Sequence, residues 1–365
     1  MTRPRKAGQS AERTIAPGSI VKLYLPDHIF IRNRVVQHGE LDFRLEPRFM
    51  DSLTASARAD ASGTVPAMAD YALLEVIALA QHLGPLLRQA PGRLAPEQLT
   101  PIVERINEIA QRSPDGCIAA IVLCPWVDYA AHHAINTALL ACRLARMLGM
   151  PDEERDTLML AAMTMNVGAV ALHNELAIQE APLSTSQRQV LNAHPLISSC
   201  LLRAGGFDNR RLHTLVLTHH ERLDGRGYPF HLRGSEIDPL AHTLHVLDIV
   251  IAKLMPRSYR SRLPARQALA QVYARAREQM DGNLTTQLVK LFGVYPSGSF
   301  VTLQNGQTGL VVKQTEAAGK PLVALPGNPG EPIDTTEPGR KITESVASQP
   351  GLRHFPSLVP FWPLK

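Results

Sequence analysis

The stretch Thr218-His219-His220-Glu221-Arg222-Leu223-Asp224-Gly225-Arg226-Gly227-Tyr228-Pro229 constrains this chain more than any other. It closes an apolar, helix-like run from Leu212 to Leu217 with two adjacent histidines, then enters a turn rich in Gly, Asp and Pro. Imidazole is the commonest neutral metal ligand, and neighbouring histidines at a helix end can both turn towards one site. Gly225 and Gly227 permit a positive φ or a close backbone approach, and Pro229 stiffens the exit. A helix terminus, a ligating pair and a tightly specified turn are therefore expected together.

The flanking sequence is mostly of helical period. Tyr71, Leu74, Ile77, Ala78 and Leu83 recur near i, i+3, i+4 spacing. Pro96 opens a second helix carrying Leu99, Ile102, Val103, Ile106 and Ile109. Helices are also expected over 116–124, 128–150, 152–172, 182–195, 239–251 and 264–280. The period becomes two at Phe300-Val301-Thr302-Leu303 and Leu310-Val311-Val312, which flank the turn Asn305-Gly306 and predict a β-hairpin. The fold class expected is mainly α: a helical bundle with a small C-terminal β-hairpin region and a short β-containing N-terminal segment. The divisions are a disordered leader (1–18), a β-containing segment and linker (19–65), a helical N-terminal region (66–112), a core (113–298), a hairpin extension (299–325) and a disordered tail (326–365). The tail assignment rests on its Pro, Gly, Thr and Ser content.

The net charge is +5, with Lys and Arg scattered and aromatics at only 5%, so neither a basic stripe nor a base-stacking platform is present and no nucleic-acid partner is expected. Mild basicity suits a phosphate-bearing ligand. Cys117, Cys124, Cys142 and Cys200 lack CxxC spacing and read as buried, reduced thiols of a cytoplasmic protein. The most apolar runs are too short or too interrupted to span a bilayer.

The string at 218–229 resembles the signature of the HD-GYP phosphohydrolases, which reads HHE, then DG, then GYP. The resemblance runs from about Ser113 to Val312. It aligns His133 near the start of its helix, His194 of the His194-Pro195 pair, His219, His220 and Asp248 with the family's metal ligands. Arg257, Tyr259 and Arg260 match a further segment, with Ser258 where the family has proline. Where the family carries His-Asp-Ile-Gly-Lys, this chain reads Met165-Asn166-Val167-Gly168-Ala169, so the ligating pair and the lysine are missing.

The resemblance implies a metal-dependent hydrolase of cyclic di-GMP that uses iron or manganese. Two dications a few ångströms apart repel, and a bridging carboxylate and hydroxide offset that repulsion. Met165 offers a soft thioether and Asn166 a neutral carbonyl oxygen. His194, His219 and His220 remain as a three-nitrogen set resembling a mononuclear site, so at most one ion is expected, and none is the alternative. His245, one turn before Asp248, is a replacement ligand on spacing alone, though packing is the commoner fate of such a histidine.

Arg222, Asp224, Gly225, Gly227, Tyr228, Pro229, Arg257, Tyr259 and Arg260 are the expected substrate- or partner-binding residues. Asp224 and the glycines also have a structural reading, in which Asp224 bonds to nearby backbone N–H groups. Two functions stand side by side: a degenerate HD-GYP protein acting by binding cyclic di-GMP or a partner, and a working phosphodiesterase yielding pGpG or GMP. The resemblance also implies a GGDEF-domain protein as partner of the GYP loop.

Overall fold

The computed structural model describes residues 20–24, 29–31, 34–36, 40–44, 64–89, 91–257, 264–279, 282–325, 328–346 and 354–364. The leader at 1–18, most of the linker before Val65, and Tyr259 and Arg260 lie outside them. In the N-terminal segment, strand β1 (Ile20–Tyr24) pairs antiparallel with β4 (Glu40–Arg44), and β2 (Ile29–Ile31) pairs antiparallel with β3 (Arg34–Val36).

The helical body follows. Helix α1 (Ala72–Leu87) buries Leu73, Val76, Leu79 and Leu83 along one stripe, and Glu75 with them. A buried carboxylate needs a partner, and Glu75 has two: Arg105, and the Ala69 N–H that donates to it at 2.7 Å. Arg105 lies on α2 (Pro96–Arg112), which starts with proline in its first turn, where a missing N–H is harmless. Helix α3 (Pro114–Leu123) is buried over nearly its whole length, which explains its unbroken apolar run.

Helix α4 (Tyr129–Met147) is the central element. Asp128 caps it by accepting the Ala131 N–H at 3.2 Å, and Gly149 ends it at a φ of +65°. Helix α5 (Asp152–Thr164) carries three acidic residues in its first turn, where they favour the helix dipole.

The sequence reads as one helix from 152 to 172, but the structure breaks it. After α5 come a turn at Met165-Asn166, a 3₁₀ turn (Val167–Ala169) and α6 (Val170–Ile178). The physical reason is that Gly168 presses against the next long helix: a Cβ there would collide with the Ser198 nitrogen and the His194 oxygen. That helix, α7 (Thr185–Gly205), opens on a Ser184/Gln187 capping box. It is followed by α8 (Arg210–Thr218), α9 (Pro239–Leu254), α10 (Ala265–Gln279) and α11 (Gly282–Phe292).

The C-terminal region departs from expectation. The hairpin of β5 (Phe300–Leu303) and β6 (Thr308–Lys313) forms, and β7 (Leu322–Leu325), β8 (Asn328–Asp334) and β9 (Ile342–Val346) join it. The result is one antiparallel sheet of order β8-β7-β6-β5-β9. Expected disorder over 326–365 is therefore corrected for the described residues. Ladder pairing and Ile333 and Ile342, packed on a small core of Val301, Leu303, Val311 and Val323, outweigh a Pro- and Gly-rich composition.

The last described residues form a short helix, α12 (Phe355–Leu358), and a 3₁₀ turn, and then return to the body. Trp362 is buried, its indole N–H donates to the Val312 carbonyl at 2.9 Å, and its own carbonyl accepts the Ala72 N–H at 2.9 Å. No described helix is long and apolar enough to cross a membrane.

Candidate metal centre

Helix α8 delivers His219 and His220 at its C-terminal end, and α7 delivers His194. His219 Nδ1–H donates to the Val216 carbonyl at 2.8 Å, and His194 Nδ1–H donates to the Leu191 carbonyl at 2.6 Å. A carbonyl only accepts, so Nδ1 carries the proton on both rings and each Nε2 is left as a lone pair. Those two nitrogens face each other at 3.2 Å. Two bare lone pairs this close repel, and a shared cation removes the repulsion. Backbone carbonyls that fix the ligand tautomer in this way are the usual support of metal-binding histidines.

His220 completes the group. One ligand atom from each of the three residues lies within 4.8 Å of the others, and its ring centre stands 5.0 Å from His194 and 4.1 Å from His219. Burial pushes the His194 pKa down to about 4 and those of His219 and His220 well below the ordinary value. All three are thus neutral imidazoles near neutral pH, the form that binds metal. The donor set fits one divalent ion of the iron, manganese or zinc type. His245 lies outside the three-atom group. Its Nδ1–H donates to the His219 carbonyl at 2.8 Å and so braces the turn that carries the ligands.

His133, on α4, and Asp248, on α9, meet at 3.4 Å. Burial lifts the Asp248 pKa to about 7, opposed by Arg257, and burial lowers His133 to about 4, assisted by Arg257. The contact is therefore no ion pair: a neutral imidazole faces a carboxyl near its midpoint. A cation beside it would deprotonate that carboxyl.

The Met165–Ala169 segment lies against α7. The Met165 side chain is fully buried in the main apolar core, and Ala169 is also buried. Asn166 Oδ1 is sealed from solvent and has no hydrogen-bond partner among the described residues. Ser198 Oγ clamps the turn by donating to the Met165 carbonyl at 2.7 Å and accepting the Gly168 N–H at 2.9 Å. Ser198 thus ties the turn at Met165–Gly168 to α7.

In the signature loop, the buried Glu221 carboxylate accepts the N–H groups of Phe230 at 2.6 Å, His231 at 3.2 Å and Leu232 at 3.0 Å. Arg222 donates to Asp224 at 2.7 Å, and Asp224 accepts the Arg226 N–H at 3.0 Å. Gly225 adopts a φ of +75°, and Gly227 abuts the backbone of Glu221 and Arg222 with no room for a Cβ. Tyr228 stacks on the His220 ring, 4.7 Å between centres, and Pro229 follows it. Arg222 and Asp224 thus form a self-paired rim, while Tyr228 reaches the nitrogen cluster itself.

A cleft of about 410 Å³ opens beside the cluster, lined by Tyr129, His173, Leu191 and Arg257 among others. Arg257 lies over the Tyr129 ring at 5.5 Å. Sequence reasoning missed Tyr129 and His173, and gave no role to Glu221 or Ser198. For His173 the signal was a histidine ending the apolar run after the motif, which a reading confined to motif positions passes over.

The fold and the histidine cluster point to a class, and the sequence comparisons agree. The family model of the HD domain matches residues 104–284. A cyclic di-GMP phosphodiesterase of Pseudomonas aeruginosa is 29% identical over 217 residues, 58% of this chain and 51% of that protein. The cyclic di-GMP phosphodiesterase response regulator RpfG of Xanthomonas campestris is 31% identical over 150 residues, 40% of this chain and 39% of that protein. A 3'3'-cGAMP-specific phosphodiesterase of Vibrio cholerae is 27% identical over 169 residues, 46% of this chain and 36% of that protein. Among solved structures, the HDG"Y"P protein Bd1817 of Bdellovibrio bacteriovorus superposes with a TM-score of 0.48 at 12% identity, covering 77% of this chain and 97% of that one. The chain is an HD-domain protein. Within that class it belongs to the HD-GYP family, and it spans about half or less of the length of these curated relatives.

Proposed function

We propose that this protein binds a cyclic dinucleotide of bacterial cyclic di-GMP signalling in the cleft beside its histidine cluster, and that it hydrolyses that ligand poorly. The observation that carries this reading is a contrast within one site. His194, His219 and His220 keep a nitrogen set fit for one ion, while the motif offers only a neutral, partnerless Asn166 oxygen and a Met165 packed in the core. When bound, an ion there supplies positive charge to phosphoryl oxygens and lowers the pKa of attached water. The chain's own groups supply the rest: Arg257, at the cleft, offers a guanidinium fork suited to phosphate, and Tyr129 beside it offers an aromatic wall. The four cysteines are buried and form no disulfide among the described residues, which fits the cytoplasm as the proposed location.

Isothermal titration with cyclic di-GMP, paired with product analysis in manganese or ferrous iron, tests this. The expected result is saturable binding, weakened by Arg257→Ala, with little pGpG or GMP formed. Absence of binding contradicts the proposal.

A second reading, a working metal-dependent phosphodiesterase, is favoured by the names of the relatives. Rapid turnover that disappears in His219→Ala selects it. A GGDEF-domain protein is the proposed partner of the GYP loop, and the exposed Arg226 is the residue to change. Substitution at Gly227 would distort the loop itself. If Arg226→Glu captures the same GGDEF protein as the wild type, the loop tip is not the contact.

A further inference from the structure

The nitrogen lost at Met165 has a substitute nearby that belongs to no part of the signature. His173, on α6, lies eight residues after Met165. Its ring centre stands 6.0 Å from His194 and 6.5 Å from His133, so it occupies the gap between the three-histidine set and the His133–Asp248 contact. Its Nε2 is sealed from solvent and has no hydrogen-bond partner among the described residues. A buried, partnerless ring nitrogen calls for a ligand, because leaving one unsatisfied carries a desolvation penalty.

The ring is held where it stands. The adjacent Asn174 binds the start of α4 with both ends of its amide. Its Oδ1 accepts the Ala130 N–H at 2.9 Å, and its Nδ2 donates to Asp128, the cap of α4, at 3.1 Å. Helix α6 is thereby fixed against the helix that carries His133. Two imidazoles on one ion at ~2.0–2.1 Å each have ring centres roughly 5–6 Å apart. The 6.0 Å separation of His173 from His194 stands at the upper end of that range, and His173 lies outside the three-atom group as it stands.

We propose that His173 is a metal ligand, supplying from α6 a further nitrogen to the divalent ion held by His194, His219 and His220. This rests on the one-ion reading above and deepens it. The site is rebuilt with a neutral donor from outside the motif, so it recovers affinity for an ion without recovering the bridging negative charge. A histidine that merely packs would instead leave the ion indifferent to its removal.

The test is cobalt(II) and manganese(II) titration of the metal-free full chain, read by visible absorption and by metal per chain after desalting. The variants are His173→Ala, His173→Gln and His219→Ala. His173→Gln preserves much of the side-chain volume and carries the test should His173→Ala fail to fold. The expected result is a tenfold or greater loss of cobalt affinity with an altered visible spectrum in the His173 variants, and loss of the ion in His219→Ala. Wild-type affinity and spectrum in the His173 variants, with the ion lost in His219→Ala, overturn the role of His173 and leave the one-ion reading intact. A wild-type chain that takes up neither metal overturns both.

Discussion

At His194 and His219 a single proton position decides the chemistry. Each Nδ1–H is committed to a backbone carbonyl, and burial disfavours the charged ring, so both Nε2 atoms are free to bind. The same burial makes the metal-free protein acid-sensitive. The folded pKa values of His133, His194 and His245 lie at about 4, and those of His173, His213, His219 and His220 are also lowered, against 6.5 for the free side chain. Protons therefore bind the unfolded chain more tightly, and the stability these groups contribute is full above 6.5 and lost as the pH falls towards 4. Asp248 and Glu221 are shifted upwards and act in the opposite sense, but they are outnumbered. Urea midpoints of the metal-free protein should fall steadily from pH 7 to pH 5, and a flat profile would show that the rings are not held neutral by the fold.

Elements, not residues alone, bring the site together, and here the sequence was only partly legible. The helix ending in His219-His220 and the helix over 128–150 were readable from period and composition, because local propensity and long-range packing agree there. The break at Met165-Asn166 was not, since it is imposed by the contact of Gly168 with α7, a neighbour distant in sequence. His173 escaped notice for the same reason: only folding sets α6 between His133 and His194. Glu221 reads as part of a motif, yet its carboxylate is what gathers three successive N–H groups of the loop. Glu221→Ala leaves those donors without their acceptor and should destabilise the protein by about 3 kcal/mol, as measured by chemical denaturation. Glu221→Gln keeps one acceptor oxygen and should lose less. An equal, small effect in both variants would deny the loop its anchor.

At the scale of the molecule, two fastenings tie the C-terminal region to the helical body. Ser297 and the Gln314 N–H donate to Asp115 of α3 at 2.6 Å and 3.0 Å, fastening the sheet to the helical body. The returning tail adds Trp362 between the sheet and α1, and the Leu364 N–H donates to the Asp70 carbonyl at 2.8 Å. Composition hid this, because Pro- and Gly-rich segments read as disordered until the core they cover is in place. Trp362→Ala should lower stability by about 3 kcal/mol, and a variant as stable as the wild type would show that the tail is a loose appendage.

Across all three scales the central claim concerns charge: a nitrogen cluster survives, and Asn166 withholds the anion that hydrolysis needs. The most direct test is the turnover of cyclic di-GMP in manganese by wild type and by Asn166→Asp. The account predicts at least about a tenfold gain in rate for the variant, a change of ~1.4 kcal/mol in the barrier. It also predicts that Asn166→Asp melts below the wild type without metal and gains more from added manganese, because a buried carboxylate there lacks a partner until a cation arrives. A wild type that already turns over as fast as Asn166→Asp would contradict it.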